Sequence, residues 1–77
     1  MKATPEEVVG KVFGVDRGEV TDETSNRSLA AWDSLGHIAL IVEIEETYAV
    51  TLSAEEALAI TDVGTIKRVL RARGVSW

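Results

Sequence analysis

The chain contains no cysteine and a single histidine, His37. The first absence excludes disulfides, which often compensate for a small core, and any thiolate metal site. The second leaves a multi-histidine metal centre or a Ser-His-Asp triad without enough parts, so no metal and no catalytic residue is expected. No apolar run approaches the roughly 20 residues of a membrane-spanning helix, and the N-terminus lacks a signal-peptide pattern. The expectation is a cytoplasmic monomer that does not engage membranes. Basic residues are scarce as well: 8 Lys and Arg face 13 Asp and Glu, for a net charge of −5. Nucleic acid is an unsuitable partner for such a surface, because its phosphates require a basic one. At 77 residues the ceiling is one small domain, 1–77, of marginal stability.

What charge there is lies unevenly. From Met1 to Asp62 there are 4 basic and 13 acidic residues; from Val63 to Trp77 there are 4 basic and none acidic. The acidic part should attract basic partners. The basic part falls on a helix C-terminus, where Lys and Arg suit the macrodipole.

Thr4-Pro5-Glu6-Glu7 is a strong helix start, with Thr4 as cap, Pro5 at the first position and Glu7 completing a capping box. Val8, Val9, Val12 and Phe13 share a face, and Gly14 is a natural stop. From Val15 to Asp33 no helical period survives, and turn formers such as Asp16, Gly18, Asp22 and Asn26 dominate. So long a loop is uncommon and often functional. Val20 and Leu29 should pin it to the core. Its acids, Asp16, Asp22 and Glu23, lack the spacing and the glycine of an EF-hand, which excludes that calcium loop.

The next helix runs from Ser34 to about Tyr48, with Ser34 in the position of an N-cap. Its apolar residues are too many for one stripe. Leu40, Ile41, Ile44 and Tyr48 fall on one side, with His37 among them; Leu35, Ile38 and Val42 fall on the other. Ala39 and Glu46 lie beside that second stripe, and Glu43 and Glu45 flank it. A domain this small buries one such face well and hardly both. The remaining face, apolar and rimmed by acid, has the pattern of a partner-binding surface. Ser53-Ala54-Glu55-Glu56 is a second capping box and opens a short helix, Ala54 to Ala59. Thr61 or Asp62 caps a last helix, Val63 to Ala72, with Ile66, Val69 and Leu70 inward and Gly74 at its end. The architecture expected is an all-α four-helix bundle with a long first loop and a short third helix.

Enzymatic constellations fail in turn. His37 stands one turn after Ser34, but on the core side, where an imidazole is more often a packed polar residue. The Glu pairs sit at helix starts or on solvated faces and suit no general acid–base role. A carrier needs less: one exposed hydroxyl on a rigid element, at a place able to hold a phosphate. A serine at a helix N-terminus supplies both, because the free N–H groups and the positive end of the dipole favour an anion.

Trp32-Asp33-Ser34-Leu35 resembles the Asp-Ser-Leu motif of acyl carrier proteins. The likeness covers nearly the whole chain: the capped first helix, the long loop with Ser28-Leu29 before the motif, and Ile44 to Tyr48 at the end of helix two. It continues through the turn at Ser53 to Glu56 and Ile60-Thr61-Asp62-Val63 before the last helix. The resemblance implies that Ser34 carries 4′-phosphopantetheine with Asp33 beside it. It also implies that acyl groups ride on this arm as thioesters. The partners it implies are a phosphopantetheinyl transferase and acyl-loading and acyl-processing enzymes, whose basic patches would dock on Leu35, Ile38, Ala39, Val42, Glu43, Glu45 and Glu46.

Two places depart from many fatty-acid carriers, which have an acid after the motif leucine and another one turn after the serine; here these are Gly36 and Ala39. That shifts the acidic charge toward Glu43, Glu45 and Glu46 and opens a polyketide or other secondary-metabolite pathway beside fatty-acid synthesis. The Gly-Gly-His/Asp-Ser form of peptidyl carriers is absent, which favours acyl over aminoacyl cargo. The competing class is a helical interaction module with no prosthetic group, in which Ser34 is only a cap.

Overall fold

In a computed structural model describing residues 2–77, four helices carry the fold: α1 Pro5–Phe13, α2 Ser34–Tyr48, α3 Ala54–Ala59 and α4 Val63–Ala72. Three of them, α1, α3 and α4, start as their sequence demands. Thr4 and Glu7 close the capping box of α1: the Glu7 N–H donates to Thr4 Oγ1 at 3.2 Å and the Thr4 N–H to Glu7 Oε1 at 3.1 Å. Ser53 and Glu56 do the same for α3, and Asp62 caps α4 through the Thr65 N–H at 2.7 Å. Gly14 ends α1 with φ of 68°, a left-handed turn that costs glycine least. The expected all-helical bundle is the one observed. No helix among the described residues is long and apolar enough to cross a membrane.

The connection from α1 to α2 is more ordered than its sequence suggested. It contains one 3₁₀ turn, Arg17–Glu19, begun by Asp16, whose Oδ1 accepts from the Gly18 N–H. Val20 is buried and Leu29 partly so, as expected of the residues that pin it. The loop then lies along the start of α4. Asn26 N–H donates to Thr61 O, Val63 N–H to Thr24 O, and Gly64 N–H to Asp22 O, at 2.9–3.1 Å. Backbone groups that a helix or sheet would have satisfied are paired here instead. Lys67 reinforces the joint, reaching Glu6 Oε2 at 2.7 Å and Asp22 Oδ1 at 2.6 Å. Both carboxylates raise its pKa above the ordinary amine range, Asp22 the more.

The core draws on every part of the chain except α3. Val8 and Val9 come from α1, Leu40, Ile44 and Tyr48 from α2, and Val63, Ile66 and Leu70 from α4. Val20, Trp32, Leu52 and Ile60 come from the connections. Tyr48 reaches across the base of α2 and donates its hydroxyl to Ala3 O at 2.6 Å. Burial, helped by the charges of Glu6 and Glu7, pushes its phenol up to about 12. Ile41, expected with the core face, is only half-buried at its edge, and Val69 of α4 is likewise. The tail folds back: Val75 and Trp77 pack on the core, and the Arg71 guanidinium stands 5.0 Å from the Trp77 ring.

The second apolar stripe of α2 is left outside. Leu35 is 78%, Ile38 61% and Val42 48% exposed, whereas Leu40 and Ile44 are at 0%. Leu40→Ala or Ile44→Ala should therefore cost about 2–5 kcal/mol, much of a small domain's stability. Ile38→Ala and Val42→Ala should stay within about 0.5 kcal/mol. Urea melts of the four variants check this, and equal losses at all four positions would mean that both faces are buried.

Candidate functional site

At the start of α2 the cap is Asp33, not Ser34 as the sequence had suggested. The Asp33 Oδ1 accepts from the Gly36 N–H at 2.8 Å, and its carbonyl accepts from the His37 N–H at 2.7 Å. Both residues are cap formers, and the bridge observed is the one from Asp33 to the third helical residue. The consequence for Ser34 is chemical. It becomes the first residue of the helix, exposed, with a hydroxyl that has no hydrogen-bond partner among the described residues. The Ser34 and Leu35 amides stay in the unpaired first turn, where the dipole is positive.

Gly36 allows the loop to lie over this turn. A Cβ built there would fall 2.1 Å from Ala31 O and 2.9 Å from Phe13 Cε1. The first distance involves backbone, so no side chain fits without moving the loop. The departure from an acid at this place therefore has a steric cause in this chain.

Trp32 holds the loop down. It is 3% exposed and stacks on Phe13 at a centroid distance of 5.4 Å and on His37 at 6.4 Å. Its indole N–H donates to His37 Nδ1 at 3.0 Å. An indole can only donate, so Nδ1 is the acceptor and Nε2 carries the proton. Nε2–H then donates to the Ala57 carbonyl of α3 at 2.8 Å. His37 is thus the packed polar residue expected of it, and a neutral imidazole joins loop, α2 and α3. The role of Trp32 was missed in the sequence. A signal was present: Trp32 stands just before the cap and His37 is the fourth helical residue, the two positions that a hydrophobic staple pairs, here with an imidazole in place of the second apolar side chain.

Beside Ser34 lies an open cleft of about 460 Å³, lined by Asn26, Trp32, Asp33, Ser34, His37, Leu58, Ile60 and Thr61. Leu58 forms an apolar lip, 78% exposed. No group of three or more His, Asp or Glu among the described residues could hold a metal ion. The site offers a nucleophilic hydroxyl, unpaired amides and a wall of mixed polarity.

The remaining site residues expected from the sequence run along α2. Leu35, Ile38, Ala39 and Val42 are exposed together. Their acids differ more than the sequence implied. Glu43 pairs with Lys11 of α1 at 2.8 Å, and its hydrogen bond and charge raise the Lys11 pKa. Glu45 turns to the following segment, where Oε2 accepts from the Leu52 N–H at 2.8 Å. Glu46 is exposed.

A family model described as "Phosphopantetheine attachment site" matches residues 6–70 of this chain. An acyl carrier protein of Rubrobacter xylanophilus is 41% identical over 58 residues, covering 75% of this chain and 72% of that one. The solution structure of a holo acyl carrier protein from Geobacter metallireducens is similar with a TM-score of 0.76 and 31% identity, over 87% of this chain and 77% of that one.

The exchange of roles at the start of α2 is testable by stability alone. Asp33→Ala should cost about 1 kcal/mol, the usual loss of a cap. Ser34→Ala should remain within about 0.5 kcal/mol, as for an exposed residue without a partner. Chemical denaturation distinguishes them, and the reverse order would restore Ser34 as the cap.

Proposed function

This chain belongs to the phosphopantetheine attachment-site family, that of the acyl carrier proteins, and on that premise we propose that Ser34 is the residue that receives its 4′-phosphopantetheine. Members are carriers, not enzymes: a phosphopantetheinyl transferase and acyl-processing enzymes act on them. The observation that carries the assignment is the exposed, unpartnered hydroxyl at the first position of α2, beside the cleft. Three other serines are engaged. Ser25 Oγ accepts from the Arg27 N–H, Ser28 Oγ from the Ser25 N–H, and Ser53 Oγ from the Glu56 N–H. Ser76 is exposed but lies in the tail, away from any helix start.

The residues fit a phosphodiester. The Ser34 and Leu35 amides can donate to its oxygens, and Asp33, held in its own cap, keeps the turn in place. In the transfer, the Oγ–P bond forms as the pyrophosphate link of coenzyme A breaks, the nucleotide half leaves, and the serine proton passes to base on the transferase. The arm supplies the thiol that a chain without cysteine lacks, and acyl groups are held there as thioesters.

Residues 1–77 act as a single carrier domain, with Leu35, Ile38, Ala39 and Val42 as its docking stripe and Glu43, Glu45 and Glu46 as its acidic rim. Glu46 is the member of that rim with no hydrogen bond or ion pair among the described residues, so it steers basic partners most directly. The absence of an acid at Ala39 supports a carrier dedicated to a polyketide or other secondary pathway over general fatty-acid service.

Incubation with coenzyme A and a phosphopantetheinyl transferase should raise the intact mass by roughly one-third of a kilodalton. Ser34→Ala should abolish the increase while remaining folded; a modification that persists in Ser34→Ala contradicts the assignment. Glu46→Lys should slow transferase association most at low salt and leave stability unchanged. A loss of the same size at low and high salt would remove the steering role.

A further inference from the structure

The cleft and the core share one wall. Trp32, His37 and Ile60 line the cleft, and Trp32 and Ile60, 3% and 1% exposed, also belong to the core. The facing rim of the cleft is α3, which carries Leu58. This helix is attached unusually. None of its six residues is fully buried, so core burial does little to hold it. It is held by polar ties at two neighbouring positions. The Ala57 carbonyl accepts from His37 Nε2, and the Glu56 carboxylate pairs with Arg73 at the end of α4, through Arg73 Nε at 2.9 Å and Nη2. The second tie, with the Ser53 N–H, draws the Glu56 carboxyl down to about 2.

The tie at His37 is not independent of the rest. Its Nδ1 is committed to the Trp32 N–H, and Trp32 is stacked on Phe13. If the imidazole turned away, a buried indole N–H would be left without an acceptor, which is costlier than losing an exposed hydrogen bond. The ring is therefore fixed in the orientation that grips Ala57. A group that sought the apolar interior from the cleft would have to part His37 from Ala57 first.

We propose that His37 determines where the carried group rests: its bridge from Trp32 to Ala57 keeps α3 closed on the core and confines the cargo to the outer cleft. This rests on the reading of Ser34 as the attachment site. The cleft then sets the class of cargo. About 460 Å³ is toward the small end of ligand clefts, which run about 300–1,000 Å³, and the arm must share it. Its lining sets the polar residues Asn26, Asp33 and Thr61 against the apolar Leu58 and Ile60. It suits a short acyl group that carries a hydroxyl, and it leaves a long alkyl chain in water.

The test uses the full chain loaded by a phosphopantetheinyl transferase from coenzyme A or from its butyryl, β-hydroxybutyryl and octanoyl thioesters, with loading verified by intact mass. In the wild type, β-hydroxybutyryl should move the Asn26, Leu58 and Thr61 resonances. Octanoyl should leave the methyls of Leu40, Ile44, Ile66 and Leu70 where they stand in the holo form, with no rise in melting temperature. His37→Phe keeps a ring in place and removes both hydrogen bonds; in it octanoyl should move those core methyls and raise the melting temperature over its own holo form. His37→Ala serves the same purpose if the phenyl ring disturbs folding. Octanoyl that enters the wild-type core overturns the proposal, as does a folded His37 variant whose core methyls stay unmoved. Failure to load at all overturns the assignment of Ser34, and this inference with it.

Discussion

The indole of Trp32 fixes the site. An aromatic side chain buries about 150–250 Å², worth several kcal/mol by area, and Trp32 spends this at the end of a loop with no helix of its own. Once it stacks on Phe13, the chain enters α2 at a set angle, and Asp33 lies where its carboxylate can cap the Gly36 N–H. Gly36 is the steric condition for this arrangement, because the Ala31 carbonyl passes through the space a Cβ would need. The indole N–H then sets the tautomer of His37, and His37 holds α3. Ser34 is left as the residue that none of these contacts uses.

Division of labour along α2 follows from the same geometry. One face is closed into the core by Leu40, Ile44 and Tyr48, and the hydroxyl of Tyr48 ties its base to Ala3. The opposite face carries Leu35, Ile38 and Val42 into solvent, in line with the exposed serine. A domain of this size has no further layer with which to cover that stripe. The long loop is spent against α1 and α4 through Lys67 and the Thr24–Val63 and Asn26–Thr61 hydrogen bonds, so it leaves the stripe open.

Much of this was legible in the residues. Caps at Thr4, Ser53 and Asp62 are local chemistry, and each starts a helix where the sequence places it. The two stripes of α2 follow from helical spacing, and the exposures of Leu35, Ile38 and Val42 bear them out. The errors are of one kind. Asp33 and Ser34 are both good caps, and which one serves depends on how Trp32 delivers the chain, a tertiary matter. Glu45 reads as a solvated acid because its partner, the Leu52 N–H, lies beyond the helix end in a segment without periodicity. The Glu56–Arg73 and Lys67–Asp22 pairs join distant parts of the chain and leave no local trace. Ile41 sits at the boundary of the buried face, where a small change in helix rotation decides exposure.

The central claim is that the hydroxyl left free by these contacts, that of Ser34, is the one modified. Amide NMR spectra of the apo and phosphopantetheinylated chains test it most directly. The account predicts that the largest shifts fall on the Ser34 and Leu35 amides, which gain phosphate acceptors. The Gly36 amide, already bonded to Asp33, should shift less than either. Shifts centred on Ser25, Ser28 or Ser76, with the start of α2 unmoved, would contradict it.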